Sequence, residues 1–155
     1  MIAATEKDCW FTPRSILDRL GSFDLDPANS MPEKFPTAAK HYGPSEDGLR
    51  QIWIGRVWLN PPFSNARPWI RKLIEHGNGI ALVFCRSDAV WFLDAVQAAT
   101  VCLLVKGRIE FQRTDGKSSR CPLGCVLLAF GEPNAERLKA SGLAGVYVES
   151  CRSTR

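Results

Sequence analysis

The chain has 155 residues, 45% of them hydrophobic and 23% charged, with 20 Lys and Arg against 16 Asp and Glu. That length suits one domain with a full core, and that composition excludes wholesale disorder. No apolar run approaches the roughly 18 residues that span a bilayer, so no membrane partner is expected. Residues Met1–Asp8 carry no apolar stretch of the signal-peptide kind.

The elements follow in chain order. Thr12 is expected as the N-cap of a short helix, with Pro13 at its first position, where a missing N–H costs nothing. Ile16, Leu17 and Leu20 form one stripe and Gly21 ends it. Phe23–Asp26 reads as a short strand stopped by Pro27. Residues 27–50 are punctuated by Pro27, Pro32, Pro36, Gly43, Pro44 and Gly48, and read as a long functional or poorly ordered loop. Gly55–Leu59 is the next strand, broken by Asn60-Pro-Pro-Phe-Ser64. Arg67–His76 is helical, with Trp69, Ile70, Leu73 and Ile74 inward.

Gly79–Phe84 is a continuous apolar run, as a strand covered on both faces requires. A helix over Asp88–Ala98 is expected to be capped at Ser87 or Asp88. Thr100–Val105 is a strand, which Arg108–Phe111 either extends or follows as a separate one. A polar tip spans Arg113–Arg120. Gly124–Phe130 reads as a strand antiparallel to a neighbour, Asn134–Ser141 as a helix and Gly145–Val148 as a last strand. This alternation predicts an α/β fold with a mostly parallel sheet and antiparallel strands near the C-terminus.

Charge is uneven. Residues 1–50 hold 6 basic and 8 acidic side chains, residues 51–155 hold 14 and 8. A polyanion facing the second half and a mildly biased solvated surface both fit. The six cysteines form no Cys-x-x-Cys pair and neither histidine lies near one, so no metal is expected. Cys85 and Cys102 sit in apolar runs and are expected to be buried, reduced thiols of a cytosolic protein.

The chemistry concentrates in Asn60-Pro61-Pro62-Phe63. Two prolines fix the backbone at the end of a strand and donate nothing, leaving rigid free carbonyls. The C-terminal ends of strands are where open α/β sheets bind ligands. This tetrapeptide resembles the (Asp/Asn/Ser)-Pro-Pro-(Tyr/Phe/Trp) motif of S-adenosylmethionine-dependent amino-methyltransferases, which act on adenine N6, cytosine N4 or an amide nitrogen. The resemblance implies that Asn60 Oδ1 and the Pro61 carbonyl accept hydrogen bonds from the target amine. Accepting them localises a lone pair that is otherwise conjugated into the ring. It implies that Phe63, with Ser64 beside it, meets a target base taken out of the duplex.

Trp10-Phe11-Thr12-Pro13 resembles the element that covers the cofactor's methionine end in many adenine methyltransferases. Leu25-Asp26-Pro27-Ala28 resembles the acidic strand end that opens the cofactor loop, but no glycine follows it. With Asp47-Gly48-Leu49, Trp53, Trp58 and Gly107-Arg108-x-x-Phe111, the order is similar to the phage-encoded DNA N-6-adenine-methyltransferases over about residues 9–130.

That family resemblance implies a minimal Rossmann-like three-layer fold in one domain, residues 1–155. It implies S-adenosylmethionine as cofactor, S-adenosylhomocysteine as product and adenine N6 in DNA as target. Trp10, Thr12, Pro13, Asp26, Pro27, Ala28 and Asn60 fall to the cofactor. Asp47 either holds cofactor hydroxyls or is a turn residue. Arg86 binds phosphate or pairs with Asp88, and Arg108 binds phosphate or is structural. Lys117 and Arg120 ride on the DNA backbone or are solvated. Cytosine N4, an RNA or protein amide nitrogen, and a nucleic-acid-binding relative without catalysis remain alternatives. No room for a separate target-recognition domain is expected at this length, so specificity is short, loose or completed by a partner or a homodimer. The expected setting is the cytoplasm of a bacterium or of a phage-infected host.

Overall fold

The computed structural model describes residues 10–150. Nine strands and four helices alternate along them: α1 (Arg14–Leu20), β1 (Leu25–Asp26), β2 (Lys40–His41), β3 (Val57–Leu59), α2 (Ala66–His76), β4 (Gly79–Phe84), α3 (Val90–Ala98), β5 (Val101–Val105), β6 (Glu110–Gln112), β7 (Ser118–Arg120), β8 (Cys125–Phe130), α4 (Glu132–Ala140) and β9 (Gly145–Glu149). A 3₁₀ turn, Phe63–Asn65, joins β3 to α2.

Seven strands form one sheet in the order β2-β1-β3-β4-β8-β5-β9. Strands β2, β1, β3 and β4 pair in parallel, and β8 lies antiparallel between β4 and β5. Five strands therefore run one way; only β8 and β9 run the other. This is the expected α/β class, with its antiparallel strands at the C-terminal side.

Alternation within the strands builds the three layers. Trp58, Ile80, Leu82, Leu103 and Leu127 face α1 and α4, packing on Leu17, Leu20, Ala135 and Leu138. Val57, Leu59, Ala81, Val83 and Leu128 face α2 and α3, packing on Ile70, Leu73, Phe92 and Ala95. Strand β4 is apolar throughout because both of its faces are covered.

Several expected boundaries move. Pro13, not Thr12, is the residue before α1, and no side chain caps that helix. Its first N–H groups bond the Pro13 carbonyl instead, from Ile16 at 3.0 Å and Leu17 at 3.4 Å. Helix α3 starts at Val90 behind Ala89, not at a Ser87 or Asp88 cap. Asp88 is held by Arg86 and is not available to cap.

Strand β2 lies inside the stretch read as irregular. It exists because Lys40 N–H and Tyr42 N–H bond the carbonyls of Asp24 and Asp26, both at 2.9 Å. Strands β6 and β7 form a separate two-stranded ribbon, and β7 falls within the expected polar tip. Cys102 is buried as expected, but Cys85 is exposed, one residue beyond the end of β4. Cys9 and Cys151, two of the six cysteines, lie outside the described residues. Among the described residues, no helix is long and apolar enough to cross a membrane.

Candidate active site

The parallel register puts the C-terminal ends of β1, β3 and β4 on one edge of the sheet: Leu25 pairs with Val57 and Leu59 with Ala81. Asp26 closes β1, Asn60 follows β3 and Phe84 closes β4. A shallow, solvent-open cleft lies at this edge, between Trp10, Phe11, Thr12, Asp26, Ala28, Asn29, Ser30, Phe35, Thr37, Trp58, Asn60 and Pro62.

Asn60 is oriented by backbone. Its Nδ2 donates to the Trp10 carbonyl at 2.7 Å. A carbonyl takes only a donor, so this bond fixes which end of the amide faces which way. Oδ1 is left buried with no hydrogen-bond partner. The hydroxyl of Thr12, freed from helix capping, is the other buried side-chain polar atom without a partner among the described residues, and Thr12 lines the same cleft. Buried polar atoms are almost always satisfied, so two orphans on one cleft make it the candidate site for a polar ligand. The Pro62 carbonyl is taken by Asn65 N–H at 3.0 Å, whereas the Pro61 carbonyl accepts no bond among the described residues.

Asp26 is buried, at 3% exposure. It accepts from Ala28 N–H at 3.1 Å, from Asn29 Nδ2 at 3.2 Å and from the Thr37 hydroxyl. Asn29, 6% exposed, ties the loop together. Its Nδ2 also reaches the Phe35 carbonyl at 3.0 Å, and its Oδ1 accepts Met31 N–H at 2.9 Å. His41 Nε2 accepts the N–H groups of Thr37 and Ala38 at 3.1 and 3.2 Å, so its proton sits on Nδ1. Burial lowers its pKa below the ordinary value, with Glu33 opposing. The turn after β1 is thus shaped by an Asp–Asn–Thr–His network in place of glycines.

Burial pushes the Asp26 carboxyl up to about 6, against the Thr37, Ala28 and Asn29 donors that lower it. Between an unfolded value of 3.8 and that value the folded chain binds more protons than the unfolded one. Stability therefore falls as pH rises from about 4 to 6, by about 3 kcal/mol from this group. Asp26→Asn should remove that part of the slope in melting temperature against pH. An unchanged slope would mean that the Asp26 carboxyl does not titrate between about pH 4 and 6 in the folded chain.

The other expected residues divide. Asp47 has left-handed backbone (φ 50°) and pairs with Arg50 at 3.5 Å; it does not line the cleft. Its neighbour Gly48 presses on Pro27, where a Cβ would lie 1.9 Å from the Pro27 carbonyl oxygen. Pro13, Pro27, Pro61 and Phe63 are not among the residues that line the cleft. Phe63 is half-buried and stacks on Phe84, ring centroids 3.7 Å apart. Ser64 follows it in the 3₁₀ turn.

Arg86 grips Asp88 through two bonds of 2.9 and 3.0 Å. Arg108 donates to the carbonyls of Cys121 and Pro122, a structural clasp across the β6–β7 ribbon. Lys117 and Arg120 are exposed on that ribbon. Sequence reasoning missed Asn29, Phe35, Thr37, His41 and Phe84. Of these, only Asn29 carried a local signal, as an Asx-turn residue whose Oδ1 accepts from the N–H two positions on.

No solved structure matches this chain. The DNA N-6-adenine-methyltransferase of Escherichia phage T1 is 32% identical over 110 residues, which cover 64% of this chain and 45% of that relative. The chain thus spans less than half the length of the relative it matches. The family profile for DNA N-6-adenine-methyltransferase (Dam) matches residues 1–141, nearly all of the chain and every residue of the cleft. With Asn60-Pro-Pro-Phe63 closing β3 and its amide oxygen unpartnered at the cleft, the chain belongs to the DNA N-6-adenine-methyltransferase family.

Proposed function

We propose that this chain transfers a methyl group from S-adenosylmethionine to the N6 amino group of adenine in DNA. The observation that carries the reading is Asn60 Oδ1: a buried acceptor, oriented from behind by Trp10, with no partner of its own. Such a group matches an amine that must donate a hydrogen bond to become nucleophilic. The Pro61 carbonyl is the second acceptor. Neither is a base, and none is needed, because the methylated nitrogen is acidic enough to release its proton afterwards. Preorganised acceptors of this kind act by positioning and electrostatics.

The cleft suits the cofactor. Thr12 Oγ1 supplies an unsatisfied polar atom, Trp10 and Ala28 apolar wall, and the Asp26–Asn29 network a fixed turn. When bound there, S-adenosylmethionine supplies a methyl group on a cationic sulfonium, leaving S-adenosylhomocysteine. A target base has only the Phe63 face turned away from Phe84 to stack on. Lys117 and Arg120 reach DNA phosphates. Arg86 and Arg108 are committed to Asp88 and to backbone carbonyls and take no part. A homodimer would lengthen the DNA contact, and the cytoplasm of a bacterium or phage-infected host is where the substrate is found.

Cofactor binding tests the reading without DNA. S-adenosylhomocysteine should bind by calorimetry and raise the melting temperature, adding about 2.7 kcal/mol at a hundredfold excess over Kd. Thr12→Val should weaken that binding. No heat and no thermal shift at millimolar ligand would contradict it.

A further inference from the structure

We infer that the β6–β7 ribbon orients Asn60, acting through Phe111 and the backbone of Gln112. This deepens the methyl-transfer reading and rests on it. It assigns a positioning role to residues that lie outside the cleft.

Trp10 belongs to no helix or strand, yet its carbonyl is what holds the Asn60 amide. Two contacts from β6 fix that carbonyl in place. Phe11 N–H donates to the Gln112 carbonyl at 3.0 Å, and Gln112 N–H donates back to the Phe11 carbonyl at 3.2 Å. The Trp10 ring meets Phe111 edge-on, centroids 5.8 Å apart at 71°. Phe111 is completely buried, and its ring also meets Phe63 edge-on, 6.2 Å away. One residue of β6 therefore touches both the arm that holds Asn60 and the aromatic ring three positions past it.

Register leaves Gln112 available for this. Ile109 and Arg113 bond to β7's side of the ribbon, through Cys121 N–H and the Lys117 carbonyl, both at 2.9 Å. The backbone groups of Gln112, which lies opposite Ser118, turn outward onto Phe11 instead. Arg108 clasps the base of the ribbon to the carbonyls of Cys121 and Pro122. The ribbon is thus closed on itself, and residues 10 and 11 dock on its free edge.

The chemical consequence follows from the amide. The terminal torsion of Asn is broad and roughly two-fold. Without the Trp10 carbonyl, the side chain can turn over and present Nδ2 where Oδ1 stood. A donor would then face an amine that is itself a donor, and activation would be lost with no change in fold.

Two variants test this. Phe111→Leu keeps an apolar side chain in the pocket, and Gln112→Pro removes the N–H that bonds Phe11 while fixing φ at the last residue of an edge strand. The direct readout is the Asn60 side-chain amide signal in ¹⁵N–¹H spectra, identified by its loss in Asn60→Asp. In whichever variant melts like wild type, that signal should move toward the position of an unrestrained amide. Single-turnover methyl transfer at saturating substrates should fall about 10²-fold, as for an ångström-scale misplacement, with KM for DNA near wild type. An unmoved Asn60 signal in the folded variants overturns the inference. If wild-type protein transfers no methyl group, the methyl-transfer reading fails instead, and the amide signal still reports whether the ribbon holds Asn60.

Discussion

Asn60→Ala lowers single-turnover methyl transfer by about 10²–10³-fold, the usual loss for one preorganised polar contact at the reacting group. The melting temperature should barely move, because Asn60 makes one hydrogen bond and sits half-buried at the end of a strand. S-adenosylhomocysteine affinity should fall little, since the missing oxygen faces the amine. Asn60→Asp is expected to lie between. One carboxylate oxygen still accepts from the amine, but the other meets the Trp10 carbonyl, which repels it. If Asn60-Pro-Pro-Phe63 were only a turn, both variants would lose activity in proportion to lost stability. A folded Asn60→Ala protein with wild-type turnover would remove Asn60 from the mechanism.

Trp58→Ala should have the opposite profile. The Trp58 side chain is 1% exposed at the centre of β3, packs on Phe23 with ring centroids 5.5 Å apart, and forms part of the cleft wall. Truncating a buried aromatic of this size costs about 3–5 kcal/mol through lost burial and the cavity left behind. Urea unfolding should show the midpoint falling with little change in slope. A loss under about 1 kcal/mol would mean that the α1–α4 side of the sheet repacks around the hole, contrary to the tight core described here.

The elements legible in the sequence are those whose burial is written in their own residues. Gly79–Phe84 reads as a doubly covered strand and is one, and the stripe in Arg14–Leu20 is the buried face of α1. What escaped was held by partners distant in sequence. Lys40–His41 is a strand because Asp24 and Asp26 offer carbonyls to it, and nothing in a Pro-punctuated stretch announces that. Ser118–Arg120 is polar and exposed, and pairs only because Glu110–Gln112 lies opposite.

The site divides in the same way. Asn60 was legible because two prolines after an apolar strand are rare and chemically pointed. Its partner was not, because Trp10 contributes a carbonyl, which every residue has. Thr12 was read as a helix cap from its position before Pro13. Pro13 took over the turn, and the hydroxyl was left to the cleft. The absent glycines after Asp26 raised the question of how that loop is shaped. Asn29 and Thr37 answer it through bonds to the Asp26 carboxylate, and the one from Thr37 spans eleven residues with no local pattern to announce it.

Nucleoside mass spectrometry decides whether this chain methylates adenine N6. Unmethylated DNA is incubated with the protein and S-adenosylmethionine, digested to nucleosides and compared with DNA treated with Asn60→Ala protein. N6-methyldeoxyadenosine is expected in the wild-type reaction, with at least about a hundredfold less from the variant. Methylated deoxycytidine in its place, or no methylated nucleoside from folded protein that binds the cofactor, would contradict adenine N6 methylation by this chain.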